Sequence, residues 1–175
     1  MRKTAILPLL ALLLPLCGCS SSVRTWETVN DEIETAVFLQ EPTYSMSFDV
    51  PQDAVRRTFA CSQEREVYEQ ADGDYEIVAE TLRTDSIESA VKTLTGYDSD
   101  RLLLLKTTRF GMPEYQFAWY SLGEDGGRVC RAAVLADGES CYCLSFSTKE
   151  ACTATYDSTM EHVFATLGLF RDEGF

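Results

Sequence analysis

The chain has 175 residues, with 28 acidic against 15 basic side chains and a formal net charge of −13. That balance argues against a nucleic-acid binder and against a polybasic membrane contact, because both depend on Lys and Arg neutralising phosphate. With a single histidine in the chain, a His-based metal centre would need its other ligands from scattered carboxylates or thiols.

The first residues read as an address. Arg2 and Lys3 form a positive n-region, and the apolar run from Ile6 to Leu16 is well short of the roughly 20 residues that cross a bilayer. Leu16-Cys17-Gly18-Cys19-Ser20 resembles the lipobox of bacterial lipoproteins, with Leu three before the cysteine and small residues on either side of it. Cys19 is then the lipid-bearing N-terminus; Cys17 fits worse, since Leu16 would occupy the small-residue site. A thioether-linked diacylglycerol plus an amide-linked chain such as palmitate gives stable attachment, which one acyl chain alone does not. The expected organisation is a lipoprotein signal peptide (1–18), a lipid-anchored tether and N-terminal segment (19–43), a globular domain (44–170) and a tail (171–175). Losing Arg2 and Lys3 leaves 13 basic residues against 28 acidic ones. A mature chain of this size is one domain, burying about 70% of its unfolded surface and needing no disulfides.

From Trp26 to Gln40 two periods compete. Trp26, Val29, Ile33 and Val37 suit a helix, while Ile33, Thr35, Val37 and Leu39 alternate like a strand. Tyr44 to Val50 alternates cleanly and stops at Pro51. Arg65 to Gln70 and Tyr75 to Leu82 flank Asp72-Gly73, a hairpin signature. A helix follows, with Asp85 and Glu88 as an acidic capping box, Ile87, Ala90, Val91 and Leu94 as its stripe, and Gly96 at C′. Leu102 to Arg109 and Tyr115 to Leu122 read as paired strands around the Gly111-Met112-Pro113 break, and Gly123 to Gly127 makes the next turn. Arg128 to Ala136 and Ser140 to Ser147 flank a second signature, Asp137-Gly138, with Ala136 expected opposite Glu139. Ser147 and Glu150 then form a capping box, and Cys152, Tyr156, Met160, Val163 and Leu167 line one face of a final helix. The fold class is α+β: a single antiparallel sheet of about six to seven strands, in the order β-ββ-α-ββββ-α, with helices packed on it.

Seven cysteines are present, five of them beyond Cys17 and Cys19. Cys141 and Cys143 point to one strand face about 6.5 Å apart, too far for an unstrained bridge to each other. The expected register puts Cys130 on that face too, and Cys152 lies on the helix stripe that would cover it. Cys130, Cys141, Cys143 and Cys152 are therefore candidates for a disulfide or thiol cluster, against the plainer account of small buried hydrophobes. No CxxC spacing, G-x-S-x-G elbow, phosphate loop or EF-hand loop occurs, and the carboxylate pairs fall mostly in turns. No catalytic residue, metal site or cofactor is expected. Phe110, Tyr115, Phe117, Trp119 and Tyr142 come from neighbouring strands and form the candidate binding surface, with burial under a helix as the competing account.

YSMSFDVP, DGDYEIVAETL, RFGMPEYQFAWY and the closing YCLSFST-helix-LGLF resemble the PsbP-like superfamily, which includes extrinsic photosystem II subunits, a yeast Ran-binding protein and many bacterial lipoproteins. The similarity runs from about Tyr44 to Phe170. One departure is that many bacterial members carry Gly-Trp after the proline, where this chain has Gln52, Asp53 and Ala54. The resemblance implies an α-β-α sandwich used for binding or scaffolding, and it carries over no functional residue. The expected function is that of a non-enzymatic, membrane-anchored binding module facing outside the cytoplasm of a bacterial cell. It would touch the membrane through its lipid, have a protein partner in the cell envelope and bind no nucleic acid. The alternative is an envelope thiol, redox or enzymatic protein using the cysteines.

Overall fold

The sheet is built where β-branched and aromatic residues alternate with polar ones between Gly-containing turns. The structure is a computed structural model and describes residues 44–123 and 126–171. Its strands are β1 (Tyr44–Ser47), β2 (Ala54–Arg56), β3 (Arg65–Gln70), β4 (Tyr75–Leu82), β5 (Leu105–Arg109), β6 (Met112–Gly123), β7 (Gly126–Ala136), β8 (Cys141–Lys149) and β9 (Gly168–Arg171). Helix α1 (Ile87–Thr95) follows β4, and helix α2 (Thr153–Ala165) follows β8. Seven strands form one antiparallel sheet in the order β2-β3-β4-β8-β7-β6-β5, while β1 and β9 pair as a separate two-stranded sheet.

The two faces of the large sheet carry two cores. On one, Tyr75, Ile77, Leu135, Tyr142, Leu144 and Phe146 pack against Tyr156, Met160, Val163, Phe164 and Leu167 of α2 and its C-terminal exit, and against Tyr44 and Met46 of β1. On the other, Phe117, Ala132, Val134, Cys141 and Cys143 pack under Ala90 and Val91 of α1. The result is an α+β fold with one helix on each face of its sheet.

Both hairpin signatures produce turns, but of different lengths. The Asp72-Gly73 hairpin joins β3 and β4 as the sequence predicts. At Asp137-Gly138, Ala136 pairs with Cys141 and not Glu139. The Asp137 carboxylate explains the longer loop, because Oδ1 accepts the amide N–H groups of Glu139 (2.9 Å) and Ser140 (2.8 Å) and draws four residues into the turn. The shift is two residues, so every side chain keeps its face.

Three other expectations are corrected. The first strand ends at Ser47 and joins the small sheet with β9, a strand that takes up Arg171 from the expected tail; β2 was not foreseen either. The Ser147 and Glu150 capping box does not form, since Ser147 stays in β8 and α2 begins at Thr153. At α1 the cap is Ser86, one residue after Asp85, with its hydroxyl accepting the Ser89 amide at 3.2 Å, and Gly96 closes the helix at φ +75° as expected. The expected signal peptide, the expected lipid-bearing Cys19 and the Trp26 to Gln40 segment lie outside the described residues.

Candidate ligand-binding trough

Helix α1 spans only nine residues and leaves part of its face of the sheet uncovered. Where it stops, strand pairing sets four side chains in a row across β4, β8, β7 and β6. Glu76 stands opposite Ser147, Ser147 opposite Cys130, and Cys130 opposite Trp119. Three strand spacings separate the ends of that row by about 14 Å. Two long side chains thus face each other over a floor of two short ones, and in the neighbouring row Ser145 and Ala132 keep the floor low. Thr93 and Leu94 at the end of α1 wall one side, Arg128 borders the other, and the cavity measures about 290 Å³.

The charges here are partly spent. Arg65 pairs with Glu80 at 3.3 Å, and Arg57 with Glu69 at 2.8 Å. Arg128 donates through Nε to Ser147 Oγ (3.3 Å), through Nη2 to the Ser147 carbonyl (3.4 Å) and through Nη1 to the Gly73 carbonyl (3.4 Å), all neutral oxygens. The Glu76 carboxylate has no hydrogen-bond or ion-pair partner among the described residues. Burial pushes its carboxyl above the usual range, and the Arg128 charge opposes that rise. Burial likewise pushes the Cys130 thiol up to about 11, which leaves it protonated and a poor nucleophile.

The five aromatic residues of the candidate surface do not form one patch. Phe117 is buried, Tyr115 and Trp119 are half-buried on the α1 face, and Phe110 stands exposed at the β5–β6 turn. Tyr142 is fully buried on the opposite face, where its hydroxyl donates to Asp137 Oδ2 at 2.9 Å. The cysteines divide in the same way. Cys130, Cys141 and Cys143 share the α1 face, while Cys152 precedes α2, which covers the other face, and no disulfide joins any of the five described cysteines. Cys141 is pushed by burial to about 11, and Cys143 well above the usual thiol range.

His162 Nε2 lies 3.1 Å from Asp49 Oδ2 in a hollow that Ser158 also lines, but the histidine and the aspartate are both mostly exposed. Among the described residues no hydrogen bond joins Ser158 to His162, so the three make no triad and the His162–Asp49 contact is a surface one. Asp98 is held by Lys92 at 2.5 Å, and no cluster of three potential metal ligands occurs among the described residues. Sequence reasoning missed Glu76 and Arg128, because only the register across four strands brings them into one trough with Trp119.

Comparison with protein-family models and with curated protein sequences finds no match. Solved structures do match. The chain is similar to a Bacteroides thetaiotaomicron protein (TM-score 0.50, 16% identity, covering 75% of this chain and 47% of that one), so it spans about half of that protein's length. It is also similar to cyanobacterial PsbP from Synechocystis (TM-score 0.50, 14% identity, covering 73% of this chain and 93% of that one). LpqN of Mycobacterium tuberculosis, described as involved in cell envelope biogenesis, matches at TM-score 0.43 and 10% identity over 75% of this chain and 87% of its own. The fold is therefore PsbP-like, and the β1–β9 sheet is hydrogen-bonded separately from the main sheet while packing against its core.

Proposed function

We propose that the protein is a lipid-anchored, non-enzymatic binding module held outside the cytoplasm at a bacterial cell membrane. Acyl chains on Cys19 attach it, and the trough between Glu76 and Trp119 receives its ligand. The observation that carries the binding role is the row Glu76, Ser147, Cys130, Trp119: a sheet face otherwise packed under a helix keeps a polar hollow with an unbonded carboxylate in its wall. Leaving a half-buried charge unpaired costs stability, and such a cost is commonly retained where a ligand completes the site. The lipobox around Cys19 supports the anchor, and no helix among the described residues is long and apolar enough to cross a membrane. A thiol-based activity is disfavoured, since burial keeps Cys130, Cys141 and Cys143 protonated and Cys152 lies away from them. The anchor is tested by intact-mass analysis and membrane fractionation of the native protein and of Cys19→Ser. The native chain is expected in the membrane fraction with a diacylglyceryl mass on Cys19, and the variant in the soluble fraction. An unmodified native N-terminus overturns the proposed anchor.

A further inference from the structure

The trough holds two opposite charges that are not bonded to one another, and they flank one residue. Glu76 is the cross-strand neighbour of Ser147, and the Arg128 guanidinium reaches back to the hydroxyl and carbonyl of the same Ser147. The other nearby cations are engaged, Arg65 with Glu80 and Arg57 with Glu69. Arg128 engages three of its five N–H donors, all on neutral acceptors at 3.3–3.4 Å, so two donors and a full positive charge remain. A cation entering alone would be attracted by Glu76 and repelled by Arg128, and an anion the reverse. A molecule carrying both charges a few ångströms apart satisfies both walls. Beyond the Ser147 and Cys130 floor the trough ends on the Trp119 indole, an apolar plate suited to a hydrocarbon or aromatic group. The cavity of about 290 Å³ lies at the small end of ligand pockets, which run from about 300 Å³ upward, and it suits a molecule the size of an amino acid.

We infer that the trough binds a free α-amino acid with an apolar side chain, its ammonium on Glu76, its carboxylate on the unengaged donors of Arg128 and its side chain against Trp119. The inference rests on the trough being the binding site proposed above. It is tested by calorimetric titration of the full acylated protein in detergent micelles with L-phenylalanine, L-leucine, phenethylamine and 3-phenylpropionate. At least one amino acid is expected to bind saturably, and phenethylamine and 3-phenylpropionate at least tenfold more weakly. Glu76→Gln should weaken the amino acid tenfold or more while leaving 3-phenylpropionate unchanged or tighter. Arg128→Lys, which keeps the charge and loses the planar donors, should weaken the amino acid while retaining the fold by circular dichroism.

Phenethylamine binding as tightly as phenylalanine overturns the zwitterion assignment but leaves the trough as the site, provided that Trp119→Leu weakens it. Amino-acid binding unaffected by Glu76→Gln, Arg128→Lys and Trp119→Leu overturns both the inference and the trough as binding site. Absence of binding by both amino acids at millimolar concentration overturns the inference, and the fractionation of Cys19→Ser reports on the anchor independently.

Discussion

Arg109 Nη1 donates to the Phe164 carbonyl oxygen at 2.9 Å and to that of Leu167 at 3.4 Å, so a side chain from the edge strand β5 closes the C-terminus of α2. The same guanidinium places Nε 3.1 Å from Glu114 Oε1, an ionic contact without hydrogen-bond geometry, while Thr107 Oγ1 donates to Glu114 Oε2 at 2.7 Å. Glu114 is 3% exposed, so its charge depends on Arg109. Removing the cation strands a buried carboxylate and reopens the helix end. Arg109→Met is expected to destabilise the domain by about 3 kcal/mol or more in urea unfolding, the range for breaking one side of a buried pair. The double variant with Glu114→Gln should recover part of that loss, and equal stability of the two would show that the pair contributes nothing.

Directly after Arg109, Phe110 and Gly111 form the two-residue turn between β5 and β6, with φ of 54° and 79°. Both central positions of such a turn need positive φ, which glycine adopts freely and a bulky L-residue does not. Phe110 is also 55% exposed, so little burial offsets the strain. Phe110→Asn should raise stability by about 1 kcal/mol, at the low end of the cost of a strained backbone position. Thermal melts of the two proteins check it, and a variant less stable than the wild type would show that the exposed ring has a packing role.

Local chemistry explains what could be seen in the residues. Alternation and turn glycines mark β3, β4, β6, β7 and β8, and the stripe from Tyr156 to Leu167 marks α2, because each signal lies within one element. The strands β2 and β9 are three and four residues long, too short to show a period, and Leu167 extends the helical spacing into the approach to β9. The faces of the thiols were legible because a two-residue register shift preserves parity, but which helix covers which face was not. Hence Cys152 and Tyr142 fall on the side opposite to their expected companions. The trough was not visible at all, since Glu76 and Trp119 become neighbours in one row only through three separate strand pairings.

Thiol reactivity should follow the same division. Cys141 and Cys143 are fully buried and Cys130 nearly so, whereas Cys61 and Cys152 are half-exposed. The thiolate is the reacting species, and burial suppresses it at the first three sites. Peptide-resolved alkylation at pH 8 should label Cys61 and Cys152 first, and Cys141 and Cys143 only on unfolding. Rapid labelling of Cys143 in the native protein would contradict the packing under α1.

The carboxyl of Glu76 gives the trough a pH signature of its own. Its pKa is raised in the folded state, mainly by burial, against an ordinary glutamate in the unfolded chain. The folded protein therefore holds this proton over a pH range in which the unfolded chain has lost it. The resulting stabilisation is complete below the unfolded pKa and disappears as pH rises through the folded one. Above that point the ionised group is a net cost to stability, because burial outweighs the pull of Arg128 and no hydrogen bond or ion pair among the described residues offsets it. Glu76→Gln keeps the shape and removes the charge, so its melting temperature should exceed that of the wild type at pH 7 and the difference should shrink as pH falls toward 4. Melts of both proteins between pH 4 and 8 check the sign. A glutamine variant less stable at pH 7 would mean that the Arg128 charge outweighs burial, and that the wall of the trough is already satisfied without a ligand.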